Sequence, residues 1–384
     1  MSSAKNALYL AILPLLLGCD QGEDHANGSR VLLVPQDYRT IQEAIDASAQ
    51  GDEIKIASGT YSDSIVINNK ADLSIIGESS ESVVISTGED YGFSIYDSEN
   101  ISISHLSVTN ADDGITSNSE LFISDVIIHH TVDGIDMEGG SLTLSNSNFY
   151  DNFDDAIDLD QSTNALINNN FISRSKDDGI EIRLHPTDND EEIIIDIRNN
   201  IISANGSDGI QLIDYELKTN RSILVRRNLF LSNGYNGIST KDSENTIPDL
   251  NTGSISEYLN ISNNTFALNQ IGNNASGESL ASFNNVYYKN STLDFQSLNS
   301  ESFMNSISYS AEVLTYETGV EQTRFTLNSC FEGTSETKAL LDTGITKATV
   351  GNVEFIALTD EKSTPDLGHI EIKSGSTCDL RIIR

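Results

Sequence analysis

The stretch that decides the fold is DDGITSNSELFISDVIIHHTVDGIDMEGGSLTLSNSNFYDNFDDAIDLD, from Asp112 to Asp160. It contains three copies of one short motif, DDGI, VDGI and DDAI. The motif returns further along as DDGI, SDGI and YNGI, and its six copies end at Ile115, Ile135, Ile157, Ile180, Ile210 and Ile238. A short period of this kind indicates stacked structural units, each of which buries its apolar face against its neighbours.

A second series of motifs, NSNF, NNNF, RNNI, RRNL, SNNT and FNNV, runs in phase with the first. Between the Gly, Asn and Asp turns lie short alternating runs such as LFISDVII and SLTLSNS, whereas helical repeats need longer units with helical periodicity. We therefore predict a parallel β-helix whose coils each contribute two or three strands and stack at about 4.8 Å. Asparagines at one turn should then lie above one another and hydrogen-bond along the stack.

The segment that precedes the repeat predicts a cap for the first coil. Thr40 and Glu43 have the spacing of a capping box. The apolar face of the short helix that follows consists of Ile41, Ala44 and Ile45. Such a helix can cover the first coil, which has no neighbour below it.

The stretch DYRTIQEAIDASAQGDEIKIASGTY resembles the N-terminal cap of right-handed parallel β-helix proteins of the pectate-lyase-like superfamily. The resemblance covers residues 31 to about 305 and implies an all-β fold with a right-handed parallel β-helix, to which we assign residues 31–309. It implies no single activity, because that superfamily holds lyases, hydrolases, epimerases and adhesins. From about Ala311 the repeat fades, and residues 310–384 are predicted to form a small antiparallel β unit that either caps the open end or forms a small domain.

The N-terminus predicts export. A lone Lys5 and the apolar run ALYLAILPLLL form the layout of a secretory signal over residues 1–18, and the run is too short to span a bilayer. LLGC, ending at Cys19, resembles a bacterial lipobox, which implies cleavage before Cys19 and lipid attachment to it. The alternative is an ordinary signal peptide cut nearby. With residues 19–30 as a flexible tether, we expect a lipoprotein of the bacterial cell envelope, anchored to a membrane through Cys19.

The net charge of -36 at pH 7 limits the partners of this chain. Such an acidic protein repels nucleic acid and attracts divalent cations, although an acidic surface also serves solubility alone. Besides Cys19, only Cys330 and Cys378 are present, and in an exported protein such a pair most often forms a disulfide. We expect a monomer.

Acidic residues concentrate on one face of the predicted β-helix. If each repeat isoleucine points inward, the residues one and three positions later point outward and are exposed. The first outward row is Thr116, Asp136, Asp158, Glu181, Gln211 and Ser239; the second is Asn118, Glu138, Asp160, Arg183, Ile213 and Lys241. The turn aspartates two positions before each isoleucine stack beside them: Asp113, Asp133, Asp155, Asp178 and Asp208.

Like charges one strand apart repel by roughly 1–3 kcal/mol per pair, which bound Ca²⁺, raised carboxyl pKa values or hydration can offset. We predict a Ca²⁺ site where the acids are densest: Asp136, Asp154, Asp155, Asp158, Asp177, Asp178 and Glu181. For the turn aspartates, ordinary Asp-Gly turn chemistry is the alternative. Insertions at Leu184–Glu192, Asp214–Arg221 and Lys241–Ser256 should form one wall of a groove beside the acids, which suits an anionic polysaccharide bridged by Ca²⁺.

The resemblance also implies a chemistry, because lyases of this superfamily use Ca²⁺ and an Arg or Lys base for β-elimination on uronic polysaccharides. Lys176 and Arg183 are the candidates for that base, although Arg183 can instead simply pair with Glu181 or Asp160. Further candidates are His185, Arg198, Arg226 and Arg227. The chain has no Trp, so the candidates for stacking on a sugar ring are Tyr150, Tyr215 and Tyr235.

Two other functions remain open. TVDGID and FDDAID resemble the spaced aspartates of inverting polygalacturonases, with Asp133, Asp154 and Asp155 at the matching positions. The Gly-His-Gly and Arg-Ile-Lys elements of that family are missing, and Ala156 stands where it has cysteine. A non-catalytic structural or adhesive β-helix is the alternative from another class. Binding of an anionic polysaccharide, with or without cleavage, is the function that the sequence favours.

Overall fold

The computed structural model describes residues 29–297 except for 89, 187–191, 216–217, 242–254, 284 and 289, together with five short strands beyond residue 297. Its strands form three parallel sheets that run the length of the molecule, and each coil of the chain visits the three sheets in turn. Crossover connections of this kind between parallel strands are almost always right-handed. The predicted right-handed parallel β-helix is therefore confirmed.

The first sheet has twelve strands: Val31–Val34, Glu53–Ile56, Ala71–Gly77, Glu99–Ser104, Glu120–Ser124, Ser141–Ser145, Asn164–Asn168, Ile193–Arg198, Arg221–Arg226, Ile255–Ser262, Gly277–Phe283 and Phe303–Met304. The second has eleven: Gly59–Tyr61, Val83–Ile85, Ser107–Thr109, Ile127–His129, Asn148–Tyr150, Phe171–Ser173, Ile201–Ser203, Leu229–Leu231, Thr265–Ala267, Val286–Tyr288 and Ile307–Ser308. The third also has eleven: Ile65–Asn68, Phe93–Tyr96, Ile115–Ser117, Ile135–Met137, Ile157–Leu159, Ile180–Arg183, Ile210–Ile213, Asn236–Ser239, Ile271–Asn274, Leu293–Ser297 and Val313–Thr315.

The core is a set of apolar columns parallel to the axis of the β-helix. The six repeat isoleucines lie on the third sheet, pair in register from coil to coil and are fully buried. Another column stacks aromatic rings, with centroids 4.7 Å apart between Phe230 and Phe266 and 5.1 Å apart between Phe266 and Tyr287. The predicted inward direction of Ile157 and Ile180 is confirmed.

Two ladders of buried asparagines hold the turns of successive coils in register. At the turn between the first and second sheets, each side-chain amide donates to the side-chain oxygen of the next at 3.0–3.2 Å, in the order Asn170, Asn200, Asn228, Asn264 and Asn285. A second ladder after the second sheet repeats this pattern with Asn205, Asn233, Asn269 and Asn290. The asparagine stack predicted from the repeat is thus present, and it has a counterpart one turn further along each coil.

The helix Ile41–Ala47 covers the first coil as predicted. Its first turn is capped by Thr40, whose hydroxyl oxygen accepts a hydrogen bond from the Glu43 N–H at 3.1 Å. Its buried face consists of Ile41, Ala44 and Ile45. Among the residues that the structure describes, no helix is long and apolar enough to cross a membrane.

The parallel stack extends beyond its predicted limit at residue 309, because Val313–Thr315 pairs in parallel with Leu293–Ser297. Further along, Lys347–Val350 and Val353–Ile356 pair antiparallel, which is the strand arrangement predicted for the C-terminal unit. Cys19, Cys330 and Cys378 lie outside the described residues, as do the signal segment and most of the tether.

Candidate functional site

The turn that leads into the third sheet carries a ladder of aspartates. Each Oδ1 accepts a hydrogen bond from the backbone N–H of the ladder residue one coil above it, at 2.6–3.2 Å, in the order Asp113, Asp133, Asp155, Asp178, Asp208 and Asn236. Asn236 ends the ladder and also donates its side-chain amide to Asp208 Oδ1 at 2.7 Å. The asparagine ladders also accept a backbone N–H at each position, but from the coil below, as Asn200 Oδ1 does from the Asn170 N–H at 2.9 Å.

The first outward row has the predicted register but not the predicted exposure. Thr116 pairs with Asp136, Asp136 with Asp158, and Asp158 with Glu181, and the row continues to Gln211 and Ser239. Apart from the half-buried Asp136, every member of the row is buried. The prediction of an exposed acidic face is wrong here, because side chains one strand apart cover one another. In the second row Ile213 is buried as well, so it does not point into solvent.

Two groups of acids bring carboxylate oxygens within 4.8 Å of one another. The inner triad consists of Asp155, Asp158 and Glu181, all buried. The outer triad consists of Asp154, Asp155 and Asp177, of which only Asp155 is buried. Asp155 belongs to both triads. Five of the seven predicted metal ligands therefore come together in these groups.

The other two predicted ligands, Asp178 and Asp136, lie outside both triads. Asp178 uses Oδ1 for the N–H of Asp208 and Oδ2 for Gln211. The Gln211 amide, turned so that its nitrogen faces these acceptors, lies 2.9 Å from Asp178 Oδ2 and 3.1 Å from Glu181 Oε2. Asp136 lies one coil below Asp158. Asp178 is thus hydrogen-bonded to Asp208 of the ladder and to Gln211 of the first outward row, and Asp136 lies next to the inner triad without belonging to it.

Arg183 is the cation of the inner triad. Its guanidinium nitrogens lie 2.9 Å from Asp158 Oδ2 and 3.6 Å from Asp160 Oδ2, and they also pair with Glu181. Burial alone would lower the pKa of Arg183, but these carboxylates raise it above its ordinary value. A permanently charged guanidinium cannot accept a proton, so the contacts suit charge neutralisation better than the predicted role of base.

Several carboxyl groups of the aspartate ladder and of the first outward row have a raised pKa. Burial is the largest cause in each case, and nearby charges and hydrogen bonds change its effect by smaller amounts. The pKa rises to about 6 for Asp113 and Asp136 and to about 7 for Asp133 and Glu181. Burial first, and then repulsion from neighbouring carboxylates, raises the pKa of three more residues well above the ordinary value: Asp155, Asp158 and Asp178. The site therefore favours either protonation or a bound cation.

Lys176 precedes the aspartate ladder in its coil, whereas Arg183 follows it. The Lys176 side chain is exposed, and its Nζ lies 4.5 Å from the centroid of the Phe153 ring.

Two of the further candidates, Arg198 and Arg226, contact Asp196 on the first sheet at 3.5 and 2.7 Å, away from the acidic triads on the third. These two arginines are thus separated from the candidate site.

His185 lies beside Asp160, a carboxylate that Arg183 also contacts. Its Nε2 is 3.8 Å from Asp160 Oδ1, and its ring stacks on Tyr215 with centroids 4.2 Å apart. Burial lowers the pKa of His185, more than the nearby Asp160 raises it. No motif in the sequence indicates this pairing, because His185 and Tyr215 belong to different coils and meet only when the coils stack.

Two of the residues proposed for inverting hydrolysis lie too close together to form its pair of carboxyl groups. Oxygens of Asp154 and Asp155 lie within 4.8 Å of each other, whereas inverting enzymes hold their two carboxyl groups about 6.5–9.5 Å apart. Asp133 accepts the backbone N–H of Asp155 at 2.9 Å as part of the ladder. These contacts favour a structural or cation-binding role for the three aspartates.

Comparison with known families finds a match to the right-handed β-helix region over residues 65–252 and 134–314. The A-module of mannuronan C-5 epimerase AlgE4 from Azotobacter vinelandii has a similar structure, with a TM-score of 0.52, 16% identity, and coverage of 70% of this chain and 82% of that module. Pectate lyase Pel9A gives a TM-score of 0.54 at 15% identity and covers 89% of this chain and 96% of its own. At these identities the likeness concerns the fold. A search of curated proteins found no match.

Proposed function

Because this chain belongs to the family of right-handed β-helix proteins, we propose that it binds an anionic polysaccharide through Ca²⁺ held on the third sheet. The solved structures with a similar fold include a mannuronan epimerase and a pectate lyase. That similarity supports a polysaccharide partner, and the acidic site supports a cation as the bridge to it.

The observation that carries the proposal is the contrast between the aspartate ladder and the two asparagine ladders. An asparagine at each position would accept the same backbone hydrogen bond and would also donate one, as Asn228 does to the Ile197 carbonyl at 2.8 Å. Aspartate instead brings repulsion between neighbouring coils, which destabilises the fold unless something offsets it. Turn geometry alone therefore does not account for carboxylates at these positions, whereas a cation held at Asp155, the ladder aspartate that belongs to both triads, would offset the repulsion there.

The inner triad fits Ca²⁺ in its chemistry. Calcium takes six to eight oxygen ligands at about 2.3–2.6 Å, so two oxygens on one ion lie within about 5 Å of each other. The triad meets that limit, and Asp158 Oδ1 is buried without a hydrogen bond from any described residue. Asp155, Asp158 and Glu181 would hold the ion, with Asp154 and Asp177 as a more exposed alternative around Asp155. When bound, Ca²⁺ would neutralise these acids and accept the carboxylate of a sugar residue.

A second candidate function is cleavage of the bound polysaccharide by β-elimination, for which His185 is the specific observation. A neutral imidazole can accept a proton, and burial favours the neutral form of His185. Tyr215, stacked on His185, offers a hydroxyl as proton donor on the same side of the site. In this arrangement Arg183 would stay paired with Asp158 and Glu181, and Lys176 would be the candidate for binding the substrate carboxylate. The structural or adhesive alternative predicts no turnover.

The cellular setting is part of the proposal. Lipid on Cys19 would tether the β-helix to a membrane of the bacterial cell envelope, where extracellular or periplasmic polysaccharide is within reach. A disulfide between Cys330 and Cys378 would constrain the C-terminal unit in that oxidising environment.

The test uses mature protein with pectate, alginate and glycosaminoglycans, each with Ca²⁺ and with EDTA. Calorimetry follows binding, and ultraviolet absorbance follows the unsaturated product of β-elimination. We expect Ca²⁺-dependent binding of at least one acidic polysaccharide, and we expect its loss in the double variant Asp155→Asn, Asp158→Asn. Absorbance that rises with time and disappears in His185→Asn would establish cleavage. Binding that is equal in Ca²⁺ and EDTA would contradict the cation bridge.

A further inference from the structure

A group of aromatic and cationic side chains lies on the outside of the second sheet and the turn after it. We call it the aromatic–cation patch, and its members on three successive coils are His129, His130, Tyr150, Phe153, Arg174 and Lys176. His129 pairs in register with Tyr150, and Tyr150 with Ser173. The patch therefore rises along the axis of the β-helix, as a linear ligand would.

Two columns build the patch. In the first, the His129 and Tyr150 rings stack with centroids 4.8 Å apart and an angle of 7° between their planes. The Arg174 guanidinium lies 5.5 Å from the Tyr150 centroid and also donates to both oxygens of Asp151, at 2.7 and 2.9 Å. These contacts fix Arg174 in place and give it a carboxylate partner within the protein.

The second column has a different character. His130 meets the edge of Phe153 at a centroid distance of 6.2 Å, and Lys176 Nζ lies 4.5 Å from the Phe153 centroid. Phe153 is 48% exposed, which is unusual for a large apolar ring that takes no part in the core. An exposed ring beside an ammonium group can pack on the C–H face of a sugar while the ammonium pairs with a carboxylate.

The patch adjoins the acidic site through the chain itself. Phe153 directly precedes Asp154, and Lys176 directly precedes Asp177. Backbone hydrogen bonds hold both turns in register, from Phe153 N to Thr131 O at 2.7 Å and from Lys176 N to Asn152 O at 3.0 Å. A ligand on the outer triad would therefore have Phe153 and Lys176 as its immediate neighbours.

Resting on the proposed function, we infer that this patch is a second binding subsite for the same polysaccharide and that it takes a carboxylated sugar residue. Phe153 packs on the sugar ring and Lys176 pairs with its carboxylate. Arg174 orients Tyr150 and does not itself bind the ligand, because Asp151 occupies it. The charge supports this occupant, since the chain as a whole carries -36 whereas the patch places the ammonium group of Lys176 beside the exposed ring of Phe153.

The absence of Trp from the sequence makes a direct test available. Phe153→Trp introduces a single tryptophan at the patch, and Tyr258→Trp introduces one at a control position on the first sheet, where Tyr258 is 43% exposed. Oligogalacturonate, oligomannuronate and a neutral xylo-oligosaccharide are titrated into each Ca²⁺-saturated variant. We expect the emission of the Phe153→Trp variant to shift with an acidic oligosaccharide only, and the control to stay unchanged.

Affinity provides the second measurement. Lys176→Gln should weaken binding of the acidic oligosaccharide about two- to fivefold, the range of an exposed ion pair, while Lys55→Gln on the first sheet should not. If both patch variants bind like the unsubstituted protein and the Trp emission is unchanged, the subsite is refuted while the Ca²⁺ site stands. If the unsubstituted protein binds no acidic oligosaccharide, the proposed function and the subsite are both refuted.

Discussion

Asp133→Asn should stabilise the metal-free protein at pH 8 and leave it unchanged at pH 4. Asp133 sits in the aspartate ladder, where its Oδ1 accepts the Asp155 N–H at 2.9 Å, and asparagine keeps that acceptor. Asp133 belongs to neither carboxylate triad. The substitution therefore removes a charge from the ladder with little change in shape and without removing a proposed Ca²⁺ ligand.

The magnitude follows from the pKa of Asp133, which burial and the charges of neighbouring acids raise from 3.8 to about 7. In this range the folded state holds a proton that the unfolded state releases, so stability falls as pH rises from about 4 to about 7. A difference of about 3 units corresponds to roughly 4 kcal/mol at most. Asp133→Asn removes this loss of stability at high pH. Because 1 kcal/mol corresponds to about 2 °C for a large domain, the melting temperature at pH 8 should rise by up to about 8 °C.

Calorimetry in EDTA at pH 4, 6 and 8 measures the effect. Asn228→Asp is the matched control, because it places a carboxylate at a fully buried position of the asparagine ladder and should destabilise the protein at pH 8 by several kcal/mol. Adding Ca²⁺ should not restore the stability of the Asn228→Asp variant. Two results would refute the electrostatic reasoning. One is a melting temperature of the unsubstituted protein that stays constant from pH 4 to pH 8. The other is an equal melting temperature for Asp133→Asn and the unsubstituted protein at pH 8.

Three other outcomes are expected. Ile180→Asp places a charge in the core column and should lower the free energy of unfolding by several kcal/mol, so an unchanged melting temperature would contradict the coil assignment. Cys19→Ser should release the protein from membranes, and retention after a carbonate wash would contradict the lipid anchor. Glu181→Gln should weaken Ca²⁺ binding more than Asp177→Asn if the ion occupies the inner triad, and the reverse order would place it in the outer one.

The scaffold could be predicted because the repeat is local information. The spacing of the DGI motifs fixes which residues stack, so the pairing of Asp158 with Glu181 and the burial of Ile180 follow from the sequence. The same holds for the asparagine stack and for the capping helix, since each depends on a short motif. Period and turn chemistry thus determine most of the fold.

Exposure and partners within the site could not be predicted in this way. Alternation placed Asp158 and Glu181 outside the core correctly, but it carries no information on what covers an outward side chain. Arg183 and Gln211 bury these acids by contacts that depend on rotamers and on neighbouring coils. His185 and Tyr215 meet for the same reason, since they lie on different coils. The patch around Phe153 also follows from stacking that a single coil does not reveal.

Calcium binding at pH 7.5, measured by isothermal titration calorimetry, tests the central claim most directly. The unsubstituted protein should bind Ca²⁺ with a rise in melting temperature, since an ion that binds only the folded state stabilises it. Asp155→Asn, which removes the carboxylate shared by both triads, should lose that binding, while Asp133→Asn should keep it. No binding heat, together with a melting temperature that is the same in Ca²⁺ and in EDTA, would contradict the account.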